Sequence, residues 1–125
     1  MKKSRGIQGP DKLVEAVVKG IQEVKGRDIV VLDLRSIPNS VCEHFVICHG
    51  DSDRQVEAIA NSVEKVVFEL ANEKPWHVEG MTKSEWVLLD YVNVVVHVFH
   101  RDKRLFYGIE DLWADAIRRT YDNVA

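Results

Sequence analysis

Five histidines, two cysteines and a short acidic cluster are the groups of this 125-residue chain best suited by type to chemistry. His97 and His100 form an H-x-x-H that suggests a metal pair, but in a strand residues three apart point to opposite faces, so the two rings cannot easily share one ion. Cys42 lies two residues from His44 and Cys48 adjoins His49, which leaves a thiol–imidazole pair open on spacing alone. No further cysteine completes a zinc pattern, and a small buried thiol is the commoner role for such residues. Gly50-Asp51-Ser52-Asp53 sets a glycine and two carboxylates at a helix start. Carboxylates there repel phosphate unless a cation bridges them, whereas as capping groups they need no ligand. Walker A, G-x-G-x-x-G, G-x-S-x-G and H-E-x-x-H signatures are absent from the sequence, and it calls for no cofactor.

A different constellation lies further on. Trp86 to Tyr91 and Val94 to Phe99 are two β-rich runs separated by Val92 and Asn93, which predicts an antiparallel hairpin. Alternation puts Trp86, Leu88 and Asp90 on one face and Val87, Leu89 and Tyr91 on the other. With Asp90 facing water, Trp86 and Leu88 share its side; Val94, Val96 and Val98 face the core, and Val95, His97 and Phe99 point outward. An apolar, aromatic face of this kind marks a protein interface with tryptophan as its anchor. Two other covers stay open: the chain's own C-terminal helix or charged turn Arg101-Asp102-Lys103-Arg104, or a second copy.

The elements that must position these residues follow from periodicity. From Pro10 to Lys25, Leu13, Val14, Val17, Val18, Ile21 and Val24 form one helical stripe, with Gly26 suited to the left-handed position past its end. Asp28 to Leu34 reads as a buried strand, and Phe45-Val46-Ile47-Cys48 as a second. Ser52 and Gln55 stand at capping-box spacing before Val56, Ile59, Ala60, Val63, Val67 and Leu70, predicting a helix to about Asn72. Pro75 breaks the chain, and Trp76-His77-Val78 is a candidate edge strand. After the hairpin, Ile109, Leu112, Trp113, Ala116 and Ile117 mark one face of a C-terminal helix. The order predicts a single α/β (α+β) domain over residues 10–125, a mixed sheet of about five strands with flanking helices, preceded by a flexible tail over residues 1–9.

Bulk properties exclude several classes. A net charge of −3 supplies no global field for phosphate backbones, so a dominant nucleic-acid contact is not expected. Two cysteines are too few for a disulfide framework, and no apolar run reaches membrane-spanning or signal-peptide length. A cytoplasmic protein without a membrane partner is the expectation.

Several blocks, in order and at matching spacing, resemble the ribosomal silencing factor or iojap family. They are Phe45-Val46-Ile47-Cys48, Ser52-Asp53-Arg54-Gln55-Val56, Ala58-Ile59-Ala60, Glu79-Gly80, Trp86-Val87-Leu88-Leu89-Asp90-Tyr91, Val94 to Phe99, Arg104-Leu105-Phe106-Tyr107 and Glu110-Asp111-Leu112-Trp113. The resemblance covers about Leu13 to Ala116. It implies a nucleotidyltransferase-like fold without transferase activity, often dimeric, that binds the fourteenth protein of the large ribosomal subunit where the small subunit would dock. Translation would then fall when nutrients are scarce. The implied binding residues are Trp86 and Asp90, with Leu88, Tyr91 and His97 as further carry-overs and Glu79 fixing the loop before Trp86.

This sequence departs from the family pattern at Cys48, His49 and Asp51 around Gly50, and at Val92-Asn93 where a Gly-Asp turn is usual. A β-branched Val92 resists positive φ. An active nucleotidyltransferase is the second reading; it needs a Gly-Ser turn followed by clustered acids on a neighbouring strand. Gly50-Asp51-Ser52 matches in part, but only Asp90 supplies a carboxylate. A dimerising regulator without ribosome contact is the third.

Overall fold

The computed structural model describes residues 10–125; the tail expected over residues 1–9 lies outside them. The elements run α1 (Pro10–Glu23), β1 (Arg27–Asp33), β2 (His44–Gly50), α2 (Asp53–Ala71), β3 (His77–Glu79), β4 (Trp86–Asp90), β5 (Val94–His100), α3 (Arg101–Tyr107), α4 (Ile109–Leu112) and β6 (Ile117–Thr120). Among the described residues six strands form one sheet in the order β3-β4-β5-β2-β1-β6. β2 and β5 pair in parallel; the remaining neighbours are antiparallel.

Central position explains composition. β2 and β5 are buried on both faces, so each is a continuous apolar run rather than an alternating one. One face packs under α1 and α2, where Val17, Ile21, Val56, Ile59 and Val63 meet Val31, Val46, Cys48, Val87, Leu89 and Val96. On the other face Val30, Leu32, Phe45, Ile47, Val95 and Phe99 pack with Ile109 and Ala116, and Trp86, Leu88 and Trp113 adjoin them half-buried.

The capping reading of Gly50-Asp51-Ser52-Asp53 holds: Ser52 Oγ accepts from the Gln55 amide at 3.1 Å, and Gln55 Oε1 accepts from the Asp51 amide at 2.7 Å. Asn72 closes α2 in the left-handed conformation. At the end of α1 that conformation falls on Lys25 rather than Gly26. The Lys25 and Gly26 amides donate to the Gln22 and Ile21 carbonyls, both at 3.0 Å, in the paired pattern of a Schellman motif. Gly26 is needed for space instead, because a Cβ there would overlap the Ile21 side chain.

Three expectations change in the C-terminal quarter. The charged turn Arg101 to Arg104 is the start of α3, capped by His100 Nδ1, which accepts from the Asp102 amide at 3.2 Å. The expected C-terminal helix is one turn, α4, because Gly108 in the left-handed region breaks it from α3 and the chain turns again after Trp113. Residues Ile117 to Thr120 form β6, which makes the sheet six-stranded and pairs antiparallel with β1.

The β4–β5 connection resolves the turn that Val92 put in question. Val92 itself takes a φ of 76°, and the Asn93 amide donates to the Tyr91 carbonyl at 2.9 Å, the three-residue γ-turn with positive φ. Asp90 Oδ1 accepts from the Val92 amide at 2.7 Å and holds the turn. A β-branched residue is strained there, and Val92 is exposed, so little packing compensates. Val92→Gly is therefore expected to stabilise the fold by about 1 kcal/mol, seen as a thermal midpoint a few degrees higher. An unchanged or lower midpoint would refute the strain.

Candidate protein-docking face

Register across the hairpin brings the predicted face together. Trp86 lies opposite Phe99, Leu88 opposite His97 and Asp90 opposite Val95, while β3 sets Glu79 beside Leu88 and His77 beside Asp90. Trp86, Leu88 and Asp90 are each partly exposed, and Glu79 is exposed at the sheet edge. A shallow cleft of about 180 Å³ is lined by Glu79, Gly80, Trp86 and Leu88. A second of about 390 Å³ is lined by Val41, Trp76, Asp90, Val92 and Val95.

Trp86 is fixed from beneath. Its Nε1 donates to His97 Nδ1 at 3.1 Å, and its ring centroid lies 5.0 Å from Phe99 and 4.6 Å from Tyr107. His97 also meets Phe45 edge-on at 4.5 Å. Burial pushes the His97 imidazole down to about 4, so it is neutral near pH 7 and its Nδ1 is free to accept. Its Nε2 has no hydrogen-bond partner.

Of the covers left open for Val95, His97 and Phe99, the structure shows the chain's own C-terminal segment. They lie on that side of the sheet but are buried, at 9%, 4% and 0% exposure, beneath the chain's own segment from Tyr107 to Ala116. His97 thus supports Trp86 from below. Tyr91 stands on the opposite, helix-covered face at 4% exposure, where alternation had put it, and not with Trp86 and Asp90 as the resemblance implied.

Trp76 is 78% exposed beside Asp90, a role that its place in a candidate edge strand does not announce. Its position directly after Pro75, outside any apolar stripe, was the available signal. Leu105, Phe106 and Leu112 are likewise exposed, and the Phe106 ring meets Tyr107 edge-on at 5.2 Å.

Burial pushes the Cys42 thiol up to about 11 and the Cys48 thiol up to about 12, so neither is a thiolate near neutral pH. Among the described residues no three of His, Cys, Asp and Glu gather into a metal-binding group. Asp90 and the Gly50-Asp51-Ser52 turn lie at opposite ends of the sheet: Asp90 is level with Val95 and Phe45, whereas Gly50 is level with His100. Five residues of strand separate those levels, roughly 17 Å, so the two cannot act on one phosphoryl group.

These features define a mixed α/β domain with an aromatic face at its β3–β4 edge, half covered by its own C-terminal segment. The sequence model described as "Ribosomal silencing factor during starvation" matches residues 7–125. A ribosomal silencing factor of Halalkalibacterium halodurans is 40% identical over 105 residues, covering 84% of this chain and 88% of that one. One of Bacillus subtilis is 39% identical, covering 83% and 86%. A crystal structure of a Chromobacterium violaceum protein superposes with a TM-score of 0.80 at 36% identity, over 86% of this chain and 88% of that chain. The chain belongs to the ribosomal silencing factor family.

Proposed function

We propose that the chain acts in the cytoplasm by docking its β3–β4 face on the fourteenth protein of the large ribosomal subunit, sterically blocking small-subunit joining and lowering translation when nutrients are scarce. The observation that carries this is the composition of the face: Trp86 and Leu88 at its centre, flanked by Glu79 and the Asp90 carboxylate. Two carboxylates beside an apolar anchor suit a cationic partner such as a ribosomal protein, with charge steering the encounter and tryptophan supplying affinity. Occupying a bridge site needs no bond made or broken, which fits thiols held protonated and an acid separated from the Gly-Ser turn.

Pull-down of purified large subunits tests it. Trp86→Ala is expected to weaken capture by about thirtyfold, on the order of 2 kcal/mol. Because Trp86 also packs on Phe99 and Tyr107, Leu88→Ala and Glu79→Lys serve as companion variants that leave that stack in place. Undiminished capture by all three would move the docking site elsewhere, and no capture by the wild type would sink the ribosomal reading. The exposed Phe106 ring, edge-on to Tyr107, favours a contact with a second copy. Sedimentation is then expected to show a dimer that Phe106→Lys dissociates; a monomer at all concentrations would refute it.

A further inference from the structure

A cleft of about 480 Å³ lies away from the docking face, with His49, Arg101, Arg104, Glu110 and Arg118 in its lining. His49 sits near the carboxyl end of β2 and Arg101 just beyond that of β5, and these two strands are the parallel pair of the sheet. A crevice beyond the carboxyl ends of parallel strands is where open α/β sheets bind ligands. Its volume falls in the range of about 300–1,000 Å³ usual for small-molecule sites.

Three arginines converge there on a chain whose net charge is −3. Arg104 is the most constrained, with only 9% of its side chain exposed. Its Nε donates to Glu110 at 2.8 Å and its Nη1 to His49 Nδ1 at 2.9 Å and to the Arg27 carbonyl at 3.5 Å, which leaves Nη2 without an acceptor among the described residues. Arg118 donates from Nη2 to the other Glu110 oxygen at 2.9 Å. Arg101 reaches Asp51 and Asp102 only at 3.7 and 3.6 Å, beyond hydrogen-bond length.

Glu110 organises this cluster. Burial pushes its carboxyl up, but the hydrogen bonds and charges of Arg104 and Arg118 together bring it below its ordinary value, so it stays ionised. Burial and the Arg104 charge hold His49 neutral; because its Nδ1 accepts from Arg104, its Nε2 carries the hydrogen and is a donor. One carboxylate therefore fixes two guanidinium groups, and among the described residues Arg104 Nη2 and the Nε and Nη1 of Arg118 have no protein acceptor. The second acid of the lining, Asp28, is hydrogen-bonded to Asn123 at 3.0 Å. The lining, to which Ile29, Val30, Leu105 and Tyr121 also contribute, keeps a net positive charge.

We propose that this cleft binds a small phosphate ester carrying a planar or apolar body, with Arg104, Arg118 and Arg101 donating to the phosphate and Tyr121 and Leu105 flanking the body. Planar guanidinium groups present paired donors that match phosphate oxygens, and a half-enclosed site strengthens such charge-assisted bonds. The proposal is independent of the docking face, and its test uses no ribosomes.

Adenosine diphosphate, pyrophosphate and adenosine are titrated separately into the protein at low salt without magnesium, followed by calorimetry and by thermal midpoint. Saturable binding and a rising midpoint are expected with adenosine diphosphate, weaker binding with pyrophosphate and none with adenosine. Arg118→Gln and Arg101→Gln, both more than half exposed, should fold normally and each weaken binding by about tenfold. No response to either phosphate compound, equal binding of adenosine, or wild-type affinity in both variants would overturn the proposal. So would binding of a single-stranded RNA oligonucleotide without binding of adenosine diphosphate, which would assign the arginines to a polymer backbone.

Discussion

Acidification from pH 7 to pH 4 is expected to remove roughly 3 kcal/mol of folding stability through His97 alone. The ring is enclosed by Phe45, Trp86 and Phe99, and burial is what lowers it from 6.5 to about 4. The unfolded chain takes up a proton as pH falls through 6.5, while the folded chain does so only near 4. The stabilisation is thus fully present above 6.5, declines between 6.5 and 4, and changes no further below that. His44 and His49, both lowered chiefly by burial, act in the same direction. Asp33, held down to about 2 by its hydrogen bond from Arg35, loses its contribution only below its ordinary value of 3.8, so the two effects separate along the pH axis. Urea unfolding at several pH values should show the slope, and His97→Gln, which keeps an acceptor for Trp86, should flatten it by about one proton. An identical slope in the variant would show that the acid sensitivity resides elsewhere.

Gly80→Ala is expected to destabilise the fold by about 3 kcal/mol or more. Gly80 has a φ of 92°, and a Cβ there would overlap the Trp86 carbonyl oxygen and come within 3.2 Å of Val87 Cα. Both obstacles are backbone, so no side chain can swing aside. Relief would require the turn closed by the Ser84 amide and Gly80 carbonyl to pull away from β4, carrying Trp86 with it. Capture of large subunits should therefore fall along with the urea midpoint. Wild-type stability in Gly80→Ala would mean that the loop from residue 80 to residue 85 is not held against β4.

How much could be read in advance depended on whether burial leaves a mark in residue type. α2 was legible from Ser52 to Asn72 because its cap and apolar stripe are both local, and β1, β2 and the hairpin because buried strands must be apolar. β6 left no such mark: Ile117-Arg118-Arg119-Thr120 is exposed along its length, and its place is set by backbone pairing with β1. Its first residue also continues the spacing of Ile109, Leu112, Trp113 and Ala116, which made one long helix the simpler reading. The same limit applied to the site. Alternation placed Trp86, Leu88 and Asp90 together and set Tyr91 apart, yet it could not show that residues 107–116 fold back over Val95, His97 and Phe99. The arginine cleft was beyond reach, since His49, Arg104 and Arg118 meet only through long-range sheet order; the R-x-x-R of Arg101 and Arg104 was its single local trace.

The pairing of β1 with β6 also bears on how the chain is made. β1 is complete at residue 33, but the strand that covers its outer edge begins at residue 117. At about 5–20 residues per second, translation leaves that edge open for roughly 4–17 s. During that interval an apolar strand with unsatisfied amides and carbonyls is exposed to neighbouring nascent chains, the situation that promotes misassembly. The Tyr121 amide on the Ile29 carbonyl and the Asn123 side chain on Asp28 then fasten the late strand in place. Of the six strands described, the one that closes this edge is the last to be made.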